Sequence, residues 1–360
     1  DGVRSASVLA AVGLLMLGAR RPPPWDPLLM TSGVYKYASQ LSTRTREGLM
    51  AFAVDEYQLL YYDEGLSTVV TVAQSKATGN IWLANNGKVD ASTTVDMPTQ
   101  VLVAHLPFVF AKSADRVAMV GLASGISAGS VLLHSEIGAL DLIELEPAIV
   151  EASHFFDEFN NLPLADPRTT LSANDARNHF SLQPDATYDI IVSEPSNPWL
   201  SGVSNLFTKE FFALGKRKLK PHGVWSQWVQ MYGMDRDDLR TLLRTFTETY
   251  RYVLLFSTIE DADLVLIGSD QPLVLTADAV DAMMQKDLDV ALDLQQIQCA
   301  APEDVLTRFL LDQERILQLV GKARLNTDDN MLIEYSAPLH LHEETADANF
   351  LMLLDDGDAR

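Results

Sequence analysis

The segment Ser193-Glu194-Pro195-Ser196-Asn197-Pro198-Trp199 carries the strongest chemical signal in this 360-residue chain. It follows the apolar run 188–192, so Glu194 stands at the mouth of a predicted strand, on a loop stiffened by two prolines and a tryptophan. A carboxylate over a cleft can deprotonate an ammonium nucleophile or bind it by charge. The plainer reading is a rigid turn with an exposed acid. Three other predicted strand ends carry suggestive residues. Gly121-Leu122-Ala123-Ser124-Gly125 is a glycine-bearing strand-to-helix turn. Such a turn admits a ligand to the backbone and offers amide donors, although tight turns also use glycine for purely structural reasons. Glu144 and Glu146 flank Leu145, and an acid there can accept both hydroxyls of a ribose or simply stabilise the next helix N-terminus. Asn174-Asp175-Ala176 can hydrogen-bond an adenine amino group or cap a helix.

These residues need a scaffold that brings strand ends together. Residues 115–122, 139–146, 188–195 and 223–230 read as strands, 169–180 as a short strand, an Asn-Asp turn and a helix start, and helical patterns lie at 127–135, 147–159 and 208–223. That alternation predicts an α/β, Rossmann-like doubly wound sheet, with ligands beyond the carboxyl ends of its strands. A helix over 235–250 and a closing hairpin come next. Ahead of the sheet, STVVTVAQS (67–75) alternates β-branched residues, and NIWLANNGKVDAS (80–92) centres on Asn-Asn-Gly. These predict a small N-terminal antiparallel β-domain. The resulting division is 1–27 membrane-proximal segment and linker, with Pro22–Pro27 stiff, 45–98 β-hairpin domain, 99–270 Rossmann-like catalytic domain, and 271–360 extension. In that extension 276–321 reads as helical, and the tail after Ala337 as irregular and acidic.

The formal charge of −22, from 49 acidic against 27 basic residues, disfavours a phosphate backbone as partner and favours small cations. One cysteine, Cys299, allows neither an internal disulfide nor a cysteine-based metal site. His105, His134, His154, His179 and His222 are scattered, and His340 and His342 sit in the acidic tail; all read as structural or surface residues, so no metal is expected. Gln227 and Gln230 beside Trp225 and Trp228 reach toward an acceptor site or pack in the core. Residues 8–18, VLAAVGLLMLG, form an apolar run bounded by Arg4 and Arg20-Arg21. It is shorter than the roughly 20 residues of a full span. It reads as the end of a transmembrane helix, a buried or interfacial helix, or a signal-peptide remnant; the first reading places the domains C-terminal to it on the cytoplasmic side.

Order and spacing together resemble the polyamine aminopropyltransferase (spermidine synthase) family, over about residues 55–270. VGLASGI stands where the family has its glycine-rich loop, and IELEPAIVEASHFF matches its acid-bearing strand and helix. SANDARNHF matches its adenine-side segment, and DIIVSEPSNPWLSGVSNLFTKEFF its Asp-Ser-Ser-Asp-Pro loop. The SEPSNPW form and Trp25-Asp26 with Met30-Thr31-Ser32-Gly33 look like the bacterial subgroup fused to a multi-span membrane domain. The resemblance implies that the chain binds S-adenosylmethionine or its decarboxylated form as co-substrate, transfers an aminopropyl-type group to a small amine, and releases methylthioadenosine. It implies that Glu194 takes the place of the family's catalytic aspartate. Gly121, Ser124, Gly125, Glu144, Leu145, Asn174, Asp175 and Ala176 would line the adenosyl site, with Gln100 near the sulfonium. Thr99, Ser196, Asn197, Gln227 and Gln230 would lie on the substrate side. A homodimer is implied by the same resemblance.

The sequence departs from that family at three points. Ser124, Asn197 and Thr99 stand where the family has an aspartate, a second acid and the gate tyrosine. Each lost charge-assisted hydrogen bond removes roughly 1.5–3 kcal/mol, so an acceptor other than putrescine and a donor that keeps its carboxylate are both expected here. The rivals are methyl transfer, aminocarboxypropyl transfer or cyclisation of intact S-adenosylmethionine, and a ligand sensor without turnover. Met119 and Val120, where methyltransferases place an acid before the glycine turn, count against the first. Gly121–Gly125 does not complete a dinucleotide fingerprint.

Overall fold

The computed structural model describes residues 25–358. The apolar run 8–18 and Pro22–Pro24 lie outside the described residues. Among those described, no helix is long and apolar enough to cross a membrane.

Four strands, β1 (Tyr57–Glu64), β2 (Val69–Ser75), β3 (Ile81–Asn85) and β4 (Lys88–Ser92), form an antiparallel sheet in chain order. Asn86 and Gly87 both take positive φ, 49° and 80°, which matches the right-handed twist of the flanking strands and fixes the hairpin. The second sheet has eight strands in the order β12-β10-β11-β9-β8-β5-β6-β7. Its parallel half comprises β5 (Arg116–Val120), β6 (Ala139–Glu144), β7 (Thr169–Ala173), β8 (Tyr188–Ser193) and β9 (Leu219–Gln230). The hairpin of β10 (Tyr252–Ile259) and β11 (Asp263–Ser269) continues it antiparallel.

Alternation explains why this sheet is covered on both faces. Val117, Met119, Ile190, Val192 and Trp228 enter one core cluster, whereas Ala118, Val120, Ile191, Trp225 and Val229 enter the other. Side chains of period two must leave a strand on opposite sides. The helix Met97–His105 lies on the first face, and its far end is pinned by a buried chain of polar contacts. His105 Nδ1 meets His134 Nε2 at 2.9 Å and His105 Nε2 meets Asp293 Oδ2 at 2.9 Å. This ties the C-terminal helix Leu288–Gln296 to the helix that carries Thr99 and Gln100.

Several expected boundaries are corrected. Pro27, assigned to the stiff linker, opens the short helix Pro27–Met30, capped by Asp26. Residues 46–55 are helical rather than extended. The helix expected over 208–223 stops at Lys218, and Leu219–Gly223 extend β9. Pro221 disfavours the helical conformation at Lys220 and supplies no N–H for the helix ladder. The helical stretch expected over 276–321 is interrupted by β12 (Phe309–Asp312), which pairs with β10 at the sheet edge. The tail is not irregular throughout: Ala346–Asp358 is a helix, and its Met352 and Leu353 are buried in the second core cluster.

Candidate active site at the carboxyl edge

Because β5 to β9 run parallel, Val120, Glu144, Ala173, Ser193 and Gln230 all end on one edge. The order β8-β5-β6 puts the topological switch between β5 and β8, where a doubly wound sheet opens a crevice. Gly121 stands at that switch with φ +93°, and a Cβ there would lie 2.6 Å from the Glu194 carbonyl oxygen. Only glycine lets the two loops approach this closely.

The side of the crevice under β5, β6 and β7 is tightly bonded. Ser124 Oγ donates to Gln100 Oε1 at 2.5 Å and accepts from Ile126 N, while Gln100 Nε2 donates to the Ser92 carbonyl at 2.9 Å. This chain of bonds joins the N-terminal sheet to the glycine turn, whose Gly125 is the left-handed cap of the helix Ile126–Leu132. Glu144 Oε2 accepts from Leu122 N at 3.0 Å and Oε1 from Glu146 N at 2.9 Å. Burial raises the Glu144 carboxyl above its usual range, and these backbone donors only partly oppose it. Leu145 beside it is 51% exposed, an apolar surface at the crevice rim. Asp175 Oδ1 caps the helix Ala176–Leu182 through Asn178 N at 2.9 Å, and Asn174 Oδ1 accepts from Asn178 Nδ2 at 2.8 Å. Asp175 therefore caps this helix, whereas Asn174 bonds only the Asn178 side chain; Ala176 is the buried first residue of that helix. Glu146 is turned away from the crevice. It accepts from Ser67 N at 2.9 Å and Ser67 Oγ at 3.2 Å, and so ties the two sheets together.

The side under β8, β9 and β11 has a different electrostatic character. Glu194 Oε2 accepts from Ser127 Oγ at 2.5 Å. Its carboxyl is pushed up to about 8 by burial, opposed by the Ser127 bond and reinforced by Asp263, Asp96 and Asp90. Thr99 Oγ1 lies 2.8 Å from both Thr258 Oγ1 and Asp263 Oδ2. Ser196 Oγ donates to Asp90 at 2.9 Å, and Asn197 Nδ2 donates weakly to the Tyr232 hydroxyl at 3.5 Å. Gln230 is fully buried, and neither end of its amide has a hydrogen-bond partner among the described residues. Gln227 is corrected. Its Oε1 accepts from Trp225 Nε1 at 3.1 Å and its Nε2 donates to the Trp228 carbonyl at 3.0 Å, so both ends are spent inside the core.

Sequence reasoning missed Asp263. As the first residue of β11 it pairs in register with Gln230, because an antiparallel strand enters at the edge where its parallel neighbour ends. Burial and Asp96 push its carboxyl up to about 6, against the Thr99 hydrogen bond and Lys88. The signal was present: once DLVLIGS is read as the antiparallel partner of β9, its leading acid must fall at the carboxyl edge. Lys36, Lys88 and Asp90 were also missed, since the short helix Val34–Tyr37 and strand β4 reach the crevice only through tertiary packing. Two clusters of possible metal ligands lie elsewhere: His134, Glu136 and Asp287, and Asp235, Asp238 and His340. Their acids already serve Lys286, Ser135 N and Ser336, so both read as internal polar contacts.

Residues 97–260 match the family model described as the Spermine/spermidine synthase domain. Spermidine synthase 1 of Pisum sativum is 28% identical over 168 residues, covering 45% of this chain and 50% of its own. Putrescine N-methyltransferase 3 of Nicotiana tabacum is 24% identical over 187 residues, 51% of this chain and 49% of its own. The chain thus spans about half the length of these curated relatives. A solved spermidine synthase, in complex with the transition-state analogue AdoDATO, superposes with a TM-score of 0.60 at 16% identity. The superposition covers 71% of this chain and 85% of that one, a likeness of fold.

Proposed function

From the match of residues 97–260 to the Spermine/spermidine synthase domain model, we propose that the chain is a transferase acting on an S-adenosyl donor. In this reading it binds S-adenosylmethionine or the decarboxylated form, moves the aminopropyl-type group to an amine, and releases 5'-methylthioadenosine. The observation that carries the proposal is Glu194, half-buried at the switch point, bonded to Ser127 and raised to about 8. The amine nitrogen attacks the carbon attached to the sulfonium. The carbon–sulfur bond breaks, its electron pair returns to sulfur, and the proton lost by the amine passes to Glu194. A base near neutral pH is matched to that proton transfer, and a sulfonium nearby lowers the Glu194 carboxyl toward its ionised form. Glu144 is assigned to the ribose hydroxyls, Asn174 and Asp175 to the adenine side, and Gln100 with Ser124 to the sulfonium side.

The test is a product assay with each donor supplied separately, with and without amines. Amine-dependent methylthioadenosine supports the proposal. Release from intact donor without amine supports cyclisation or lyase chemistry. S-adenosylhomocysteine supports methyl transfer, the reading favoured by the N-methyltransferase relative, and binding without product supports a sensor. Membrane attachment through the segment before residue 25, with this domain cytoplasmic, and homodimerisation belong to the same proposal. Fractionation of the full-length protein and light scattering of the domain test them.

A further inference from the structure

Two lysine ammonium groups already occupy the aromatic part of the crevice. Lys36 Nζ lies 4.1 Å from the Tyr232 ring centroid, 5.4 Å from Tyr37 and 5.6 Å from Trp199. Lys88 Nζ lies 5.8 Å from both Trp228 and Tyr232. Aromatic rings grouped in this way can hold a ligand cation as well as a lysine of the chain. A diamine entering here would bring its second ammonium against two like charges. Lys88 is paired with Asp90 at 2.7 Å, but the Lys36 ammonium makes no hydrogen bond or ion pair among the described residues. Burial, and then Lys88, lower the Lys36 ammonium to about 7 against the pull of Asp90, Asp263 and Asp96. An anion brought beside it would favour its charged form.

The neighbouring buried polar atoms show the same incompleteness. Gln230 Oε1 and Nε2, Asp263 Oδ1 and Asn197 Oδ1 all lack partners among the described residues, although buried polar atoms are almost always satisfied. Gln230 pairs in register with Asp263, and Asn197 reaches at 3.5 Å the hydroxyl of Tyr232, the ring against which the Lys36 ammonium lies. We propose that the amine acceptor carries a carboxylate of its own: an amino-acid-like zwitterion, its amine facing Glu194 and Asp263 and its carboxylate the counter-ion of Lys36. This rests on the transferase reading above. It differs from it in naming the ligand by both of its ends.

The probes are 4-aminobutanoate and 1,4-diaminobutane, which share a four-carbon chain and one amine and differ at the other end. Each is titrated calorimetrically into the full chain preloaded with 5'-methylthioadenosine, so that binding is read independently of turnover. The expected result is aminobutanoate binding about tenfold or more tighter than the diamine. Lys36→Met should remove that advantage, and Lys36→Glu should reverse it. Tighter diamine binding by the unmodified protein, no binding of aminobutanoate, or aminobutanoate affinity unchanged by Lys36→Met would each overturn the inference. In a parallel arm the two donors are titrated without amine. If Lys36→Met weakens only the intact donor, the carboxylate belongs to the donor and the acceptor assignment fails. Absence of methylthioadenosine release with every donor, alongside the aminobutanoate preference, would refute the transferase reading while leaving the ligand class standing.

Discussion

At the Gly121–Glu144 end of the crevice the polar side chains have partners inside the chain. At the Gln230–Asp263 end, four buried polar atoms have none among the described residues. The first end follows local rules: a glycine turn, an acid at a strand end and an Asx cap, each placed by the residues next to it. The second is assembled from distant pieces, β9, β11, β4 and the short helix Val34–Tyr37. Burial raises its carboxyls and lowers an ammonium, and like charges enclosed together add to these shifts. The contrast teaches that one end is satisfied, and so finished, by the fold, whereas the other leaves polar atoms open among the described residues, as the proposed ligand requires.

Breaking the comparison at Glu194 should give the largest effect. Glu194→Gln removes the proton acceptor but keeps its size, so methylthioadenosine release should fall by about 10²–10⁴-fold in a single-turnover assay. Methylthioadenosine affinity should change little. Equal losses in both would mean that Glu194 belongs to the finished end. Next comes Gly121→Ala. At φ +93°, with the Glu194 carbonyl 2.6 Å from the new Cβ, the strand-end loops must separate. Denaturant unfolding should report a loss of about 1–3 kcal/mol. Unchanged stability would show that this approach is not enforced. Asp263→Asn is smaller and more selective. It should raise the KM of the amine about tenfold and leave the donor KM alone, and it should lower the Glu194 carboxyl by removing a neighbouring negative charge. A change in the donor KM instead would move Asp263 out of the amine end.

The same division explains what could be read in the sequence. The parallel strands, the strand ends at Gly121, Glu144, Asn174 and Glu194, and the Asn86-Gly87 hairpin were legible because periodicity and turn chemistry are local. Gln227 and Gln230 looked alike beside their tryptophans. Only the register of β9 separates the one bonded to Trp225 from the one left unpaired at the edge. Asp263, Lys36 and Lys88 carry no local mark of function. Their importance arises from burial beside other charges, which depends on how the two sheets meet. The helix boundary at Lys218 was missed for a related reason: strand pairing with β8 outweighed a run of good helix formers.

The smallest effect, and the sharpest test of finished against unfinished, lies in how pH acts on two glutamates. Glu146 belongs to the finished part. Against the opposing effect of burial, backbone donors from Ser67, Leu66 and Ala148 hold its carboxyl below the usual range. Its contribution is therefore present above the unfolded-state value and lost as pH falls through the lower folded value. Glu194 is the reverse. Its folded value of about 8 lies above the unfolded one, so its contribution is full in acid and disappears as pH rises from the ordinary carboxylate range through about 8. Thermal unfolding of the ligand-free protein between pH 4 and 9 separates them. Glu194→Gln should gain roughly 1–4 °C over the parent on the alkaline side, with little difference near pH 4. Glu146→Gln should lose a similar amount at neutral pH, and its deficit should shrink toward acid. If the two variants shift in the same direction with pH, the electrostatic distinction between the two ends is wrong, and Glu194 is held by the fold as Glu146 is.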